Sequence, residues 1–305
     1  MFCQLATDAQ LNNPHSVAIS SSDQVYISEI RGQRIRKIDR NGIISTVAGT
    51  GEPGYNGDGQ LAVNAKLCFP CALFVNEDEE VLFCDRNSHR VRKIDKNGII
   101  TTIAGNGNGG FNGDGQLATS ALLNHPSSVF QYKNEVYIVD CLNHRIRKID
   151  QNGTISTIAG TRNDIYPWAI HVHNDEVYFT DDRNLVCKIQ HNGIIQTIAG
   201  IEHEREFNGD DKLATECKIN NPQSIFIDND SQIYIADTNN QCIRKIDQNG
   251  MMRRVIGSGA FGYSGDVPFD FHQYPHIGPR KKPKIKPFPQ AYHDLNVIYS
   301  EDMEP

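Results

Sequence analysis

Histidines, cysteines and aspartates recur at matched places along this chain, and each set suggests a different chemistry. His89 and His144 hold the same position in two successive repeats, where Gln33 and Gln241 stand in two others. His15, His125 and His171 lie near the starts of strand-like runs and could approach a common axis. A catalytic zinc needs about three converging protein ligands and an open position. Two equivalent histidines one repeat apart do not make that set. Cys68-Phe69-Pro70-Cys71 is a lone C-x-x-C. A redox thiol of that kind is activated at a helix N-terminus, and no helix is indicated here. Cys3, Cys84, Cys141, Cys187, Cys217 and Cys242 are scattered, so no disulfide framework is expected.

The acidic set is more regular. Gly57-Asp58-Gly59-Gln60-Leu61-Ala62 recurs as Gly113-Asp114-Gly115-Gln116-Leu117-Ala118 and as Gly209-Asp210-Asp211-Lys212-Leu213-Ala214. Asn56, Asp58, Asn112, Asp114, Asn208, Asp210 and Asp266 are the polar residues of these loops. Ca²⁺ takes about six to eight oxygens, and one carboxylate per loop is few. A turn reading, with glycine supplying positive φ and Asp bonding backbone, fits better. Loops on a rigid scaffold are common recognition sites, so these seven residues are the expected binding positions. A basic strip also repeats: Arg36-Lys37, Arg92-Lys93, Arg147-Lys148 and Arg244-Lys245, with Lys188 in repeat four. As a phosphate-contacting rim it lacks interleaved aromatic stacking platforms. The simpler expectation is surface pairing with Asp39, Asp95, Asp150 and Asp247, where each pair is worth about 0–1 kcal/mol. No nucleophile elbow, phosphate loop or RING-type Cys/His array is present.

These residues hang on a repeated frame. Asn41-Gly42, Asn97-Gly98, Asn152-Gly153, Asn192-Gly193 and Asn249-Gly250 each separate two β-prone runs, at spacings of 40 to 57 residues. Asn-Gly tolerates positive φ at both turn positions, which makes it a strong hairpin signal. Two more alternating runs precede each hairpin. The first follows Pro14, Pro70, Pro126, Pro167 or Pro222, and the second reads like Val136-Tyr137-Ile138-Val139-Asp140. Four antiparallel strands per repeat predict the blades of an all-β propeller. The repeats span 13–50, 69–105, 125–160, 166–200 and 221–257. Asn143-His144-Arg145 after Val136 to Asp140, and Asn13-Pro14 before Ser16-Val17, resemble the NHL repeat. The linkers resemble those of teneurin-type NHL domains. The resemblance covers roughly 4–259 and implies a propeller, but one propeller fold hosts many functions.

The chain begins within one linker pattern, Gln4-Leu5-Ala6, and repeat five runs into Gly262-Tyr263-Ser264-Gly265-Asp266, the front half of another. Together they regenerate one linker, so a closed five-blade ring over 1–259 is expected. The alternative is six blades, with the tail as a degenerate sixth. Residues 260–305 hold the half-linker and a Pro/Lys-rich tail, extended or partly docked, with Leu295 to Tyr299 as a possible edge strand. The net charge of −7 and pI near 5.9 disfavour a dominant nucleic-acid footprint. No apolar run reaches membrane-span length. The expectation is a non-enzymatic, monomeric, cytoplasmic scaffold for a protein partner, without Ca²⁺, Zn²⁺ or another cofactor. The alternatives are RNA binding through the basic strip and a metal-dependent lyase or hydrolase on the NHL fold.

Overall fold

In blades 1, 2, 3 and 5 the Asn-Gly pair turns the chain because an aspartate two residues upstream prepares it. Asp95 Oδ1 accepts the N–H groups of Asn97 (2.9 Å) and Ile99 (2.8 Å), and Asp39, Asp150 and Asp247 do the same in their blades. The computed structural model describes residues 4–161, 164–190 and 193–262. Five antiparallel sheets follow one another as blades. Blade 1 comprises Pro14–Ile19, Val25–Glu29, Arg34–Ile38 and Ile43–Ala48, and blade 2 Pro70–Val75, Val81–Asp85, Arg90–Ile94 and Ile99–Ala104. Blade 3 comprises Pro126–Tyr132, Glu135–Asp140, Arg145–Ile149 and Thr154–Ala159. Blade 4 comprises Pro167–His173, Glu176–Asp181, Leu185–Ile189 and Ile195–Ala199. Blade 5 comprises Pro222–Ile227, Ile233–Asp237, Cys242–Ile246 and Met251–Ile256. Every inner strand starts at its proline, where a missing N–H costs no ladder bond.

Linkers add a fifth, two-residue strand to the outer edge. Gln4–Leu5, Gln60–Leu61, Gln116–Leu117 and Lys212–Leu213 pair with the outermost strands of blades 1, 2, 3 and 5. Blade 4, whose linker lacks the loop motif, has four strands. The glycine that follows each outermost strand has a steric reason. At Gly105 φ is +86°, and a Cβ there would stand 2.1 Å from the carbonyl oxygen of His89.

Apolar cores form between successive blades. Ile35, Leu73 and Phe83 lie between blades 1 and 2, and Leu82, Val91 and Ile138 between blades 2 and 3. Ile146, Phe179 and Leu185 lie between blades 3 and 4, and Val186, Ile225 and Ile235 between blades 4 and 5. Among the described residues no such core joins blade 5 to blade 1, so the expected closure of the ring is not made by them. The faces concerned are apolar and uncovered. Val17 of blade 1 is 64% exposed where its blade 2 counterpart Leu73 is 8%. Ile256 of blade 5 is 67% exposed where its counterpart Ala104 is 0%. Asp266 and the tail segments discussed above lie outside the described residues.

Candidate functional site

The linker loops lock onto buried arginines. The third strand of blade 3 carries Arg147 with no solvent exposure. Its Nη1 donates to Asp140 Oδ2 (3.2 Å), and its Nη2 donates to Gly113 O and Asp114 Oδ1 (both 3.0 Å). Phe111 packs over the guanidinium at 4.9 Å. Blade 2 repeats the device with Arg92, Asp58 (2.8 Å), Gly57 O (3.0 Å), Asp85 (3.5 Å) and Tyr55. Blade 5 repeats it with Arg244, Asp210 (3.0 Å), Gly209 O (2.8 Å), Asp237 (3.5 Å) and Phe207. Burial pushes Asp85 and Asp140 up to about 6, against the arginines and the N–H groups they accept, so both are ionised at pH 7. A buried charge persists only when paired and hydrogen-bonded, and here a carboxylate on either side meets that demand.

The loop asparagines are equally engaged. Asn56, Asn112 and Asn208 each accept, through Oδ1, the N–H of the residue ten positions on, Lys66, Leu122 and Lys218 (2.8 Å each). Their Nδ2 groups donate to Asn64 O, Ser120 O and Glu216 O. The six described candidates therefore gather in three equivalent loops, and their polar atoms brace those loops. The same loops also expose apolar side chains: Leu61, Leu117 and Leu213 are 50%, 60% and 47% exposed, and Tyr55, Phe111 and Phe207 are exposed as well.

The basic strip is resolved differently from expectation. Asp39, Asp95, Asp150 and Asp247 are spent on hairpin turns, Arg92, Arg147 and Arg244 are buried rather than surface-paired, and the half-buried Arg36 faces Glu29 at 3.6 Å. The lysines find partners on the adjacent strand: Lys93 with Glu80, Lys148 with Glu135 (both 2.7 Å) and Lys188 with Glu176 (2.8 Å). His89 is an inter-blade acceptor. Its Nδ1 receives the N–H of His125 (3.2 Å), as Gln33 Oε1 receives that of Phe69 (2.8 Å) and Asn184 Oδ1 that of Asn221 (3.0 Å). Gln241, the blade 5 equivalent, donates instead to Thr238 O within its own blade. Cys71 is buried and Cys68 half-buried, and burial raises the Cys68 thiol. Among the described residues no group of three His, Cys, Asp or Glu side chains could hold a metal. None of their helices is long and apolar enough to cross a membrane.

The inner strands of all five blades line an axial cavity of about 660 Å³, with Val17, Phe74, Phe130, Trp168, His171 and Phe226 on its wall. His15 and His171 reach it as their positions suggested, while His125 packs edge-on against His89 at 4.6 Å. His171 lies between Phe130 (4.5 Å) and Phe226 (5.4 Å), and burial pushes it down to about 4, so it is neutral at pH 7. Sequence patterns missed this cavity, because no local signal says which inner-strand side chains face an axis.

Post-proline inner strands, Asn-Gly hairpins and five successive blades make the chain a β-propeller whose repeats are similar to the NHL repeat. A family model described as the teneurin NHL domain matches residues 3–56 and 201–270. Teneurin-1 of Homo sapiens is 27% identical over 287 residues, covering 75% of this chain and 10% of that protein. Protein SUPPRESSOR OF QUENCHING 1, chloroplastic, of Arabidopsis thaliana is 29% identical over 250 residues, covering 73% of this chain and 23% of that protein. The chain thus spans about a tenth of the teneurins it matches. Among solved structures, virginiamycin B lyase from Staphylococcus aureus superposes with a TM-score of 0.53 at 20% identity, over 81% of this chain and 70% of that one. At that identity the likeness concerns the fold alone.

Proposed function

We propose that this propeller is a protein-interaction module that performs no chemistry and engages its partner through the linker-loop rim. One observation carries the reading: each of the three described linker loops presents an exposed leucine and an exposed aromatic ring, Leu61 with Tyr55, Leu117 with Phe111 and Leu213 with Phe207. Tyr55 packs 3.7 Å from Arg90, and Phe111 3.9 Å from Arg145, so each ring is held in place before a partner arrives. Aromatic and arginine side chains are enriched at interface hot spots, and preorganised contacts lower the entropic cost of binding. Asn56, Asp58, Asn112, Asp114, Asn208 and Asp210 serve this surface by fixing the loops that display it. Teneurin similarity is in keeping with a protein partner. No metal or cofactor belongs to this reading, and elemental analysis of the purified protein checks that.

The test uses the biotinylated chain as bait beside a Leu61→Ser/Leu117→Ser/Leu213→Ser triple variant. Partners recovered by the wild type should be lost from the triple variant at unchanged thermal midpoint. Equal recovery by both would remove the rim from the site.

A further inference from the structure

We propose that the axial mouth beside Arg86 binds a carboxylate with an apolar body, the carboxylate held by the Arg86 guanidinium and the body lodged in the axial cavity. The site arises where the repeat breaks its own pattern. In every blade the last residue of the second strand pairs with the proline opening the inner strand: Glu29 with Pro14, Asp85 with Pro70, Asp140 with Pro126, Asp181 with Pro167 and Asp237 with Pro222. The next residue therefore stands one step beyond the inner strands, at the same end of the axis. These residues are Ile30, Arg86, Cys141, Asp182 and Thr238. The frame is repeated and the five side chains are all different, and Arg86 is the one that brings a positive charge.

Arg86 is half-buried, and its guanidinium lies 5.1 Å from the centroid of the Trp168 ring across the axis. It makes no hydrogen bond or ion pair among the described residues. Its Nε is buried without a hydrogen-bond partner. The contrast with Arg92, Arg147 and Arg244, each between two carboxylates, is sharp. A partly desolvated guanidinium lacking an acceptor is an unmet demand, and a carboxylate is the acceptor its planar fork fits best. Neighbouring groups leave that demand in place. His15 and His125 are held neutral at pH 7 by burial, with the charge of Arg86 adding to the effect. Asp182, raised to about 6 by burial and by Asp181, is ionised at pH 7 but forms no pair with Arg86. Trp168 and His15 also line the cavity, whose wall continues into Val17, Ile19, Phe74, Phe130 and Phe226. One cation at the mouth of an apolar chamber selects an anion with an apolar tail rather than a compact hydrated one.

Trp168 is the single tryptophan of the chain, so its fluorescence reports the site directly. The intact chain is titrated with decanoate, with decanol of equal length but no charge, and with inorganic phosphate. Decanoate should change the emission saturably, and decanol and phosphate should bind at least about tenfold more weakly. Arg86→Met should raise the decanoate Kd at least about tenfold with the thermal midpoint unchanged, Arg86→Lys should restore part of the affinity, and Asp182→Asn should tighten binding. Equal affinity for decanol would overturn the role of the charge. Saturation by phosphate alone, or unchanged decanoate binding in Arg86→Met, would overturn the assignment.

Discussion

Blades 3 and 4 share a core and a repeat, yet they solve one problem in opposite ways. Both end the second strand in a fully buried aspartate, Asp140 or Asp181. In blade 3 the charge is met by Arg147 on the third strand, itself clamped by Asp114 from the linker loop. Blade 4 has no such linker, and Cys187 stands where Arg147 would be, opposite Phe179 and Thr197 as Arg147 is opposite Ile138 and Thr157. Arg183, two residues beyond Asp181, neutralises it through Nη2 (2.8 Å) and Nε (2.9 Å). The buried arginine and the linker aspartate thus belong together. In blade 4, where Arg183 already neutralises Asp181, a second arginine at that depth would have no loop carboxylate to match its charge.

The largest effects should come from breaking that correspondence. Arg147→Met leaves Asp140 buried without its cation, and unfolding in urea should show a loss of about 3–5 kcal/mol. Cys187→Arg puts a guanidinium where Asp181 is already taken and no loop carboxylate exists, and a loss of similar size is expected by the same assay. If either variant is as stable as the wild type, the correspondence is not energetic.

A second, smaller effect follows from the inner strands, where blade 3 has Phe130 and blade 4 has His171 against equivalent tyrosines. His171 stays neutral in the fold down to about 4, whereas an unfolded histidine charges below about 6.5. Between these values the unfolded chain binds more protons, so stability falls as pH drops from about 6.5 to about 4. The loss is up to about 3 kcal/mol from this residue. His171→Phe, which makes blade 4 resemble blade 3, should reduce the fall of the thermal midpoint across that window, with His125 supplying part of what remains. An unchanged slope would contradict the burial of His171.

Least costly should be Asp114→Asn, because Asp114 is 42% exposed and solvent screens its pair with Arg147. About 1 kcal/mol is expected, with the loop still held by Gly113 O and Asn112. The readout that separates this from a global effect is faster amide exchange confined to residues 110–118.

Much of this was legible in one dimension. The five hairpins, the prolines opening the inner strands and the loop absent before blade 4 were all predicted from local residue types, and the structure places them accordingly. The candidate site was legible only as a set of positions. Asp58, Asp114 and Asp210 were correctly grouped, but their task was not, because Arg92, Arg147 and Arg244 look like surface residues in an alternating strand. A period of two says that a side chain faces away from its neighbours, and not whether a loop from the preceding linker will cover it.

Sequence by itself determined the hairpin turns and the four main strands of each blade, because Asn-Gly, proline and alternation act over a few residues through φ, sterics and polarity. Tertiary structure alone decided which charges are buried, where the axial cavity lies and which blade faces remain uncovered. Those outcomes depend on desolvation and packing between residues tens of positions apart. So Arg86 is set apart from Arg147 by what stands around it, a tryptophan ring rather than two carboxylates.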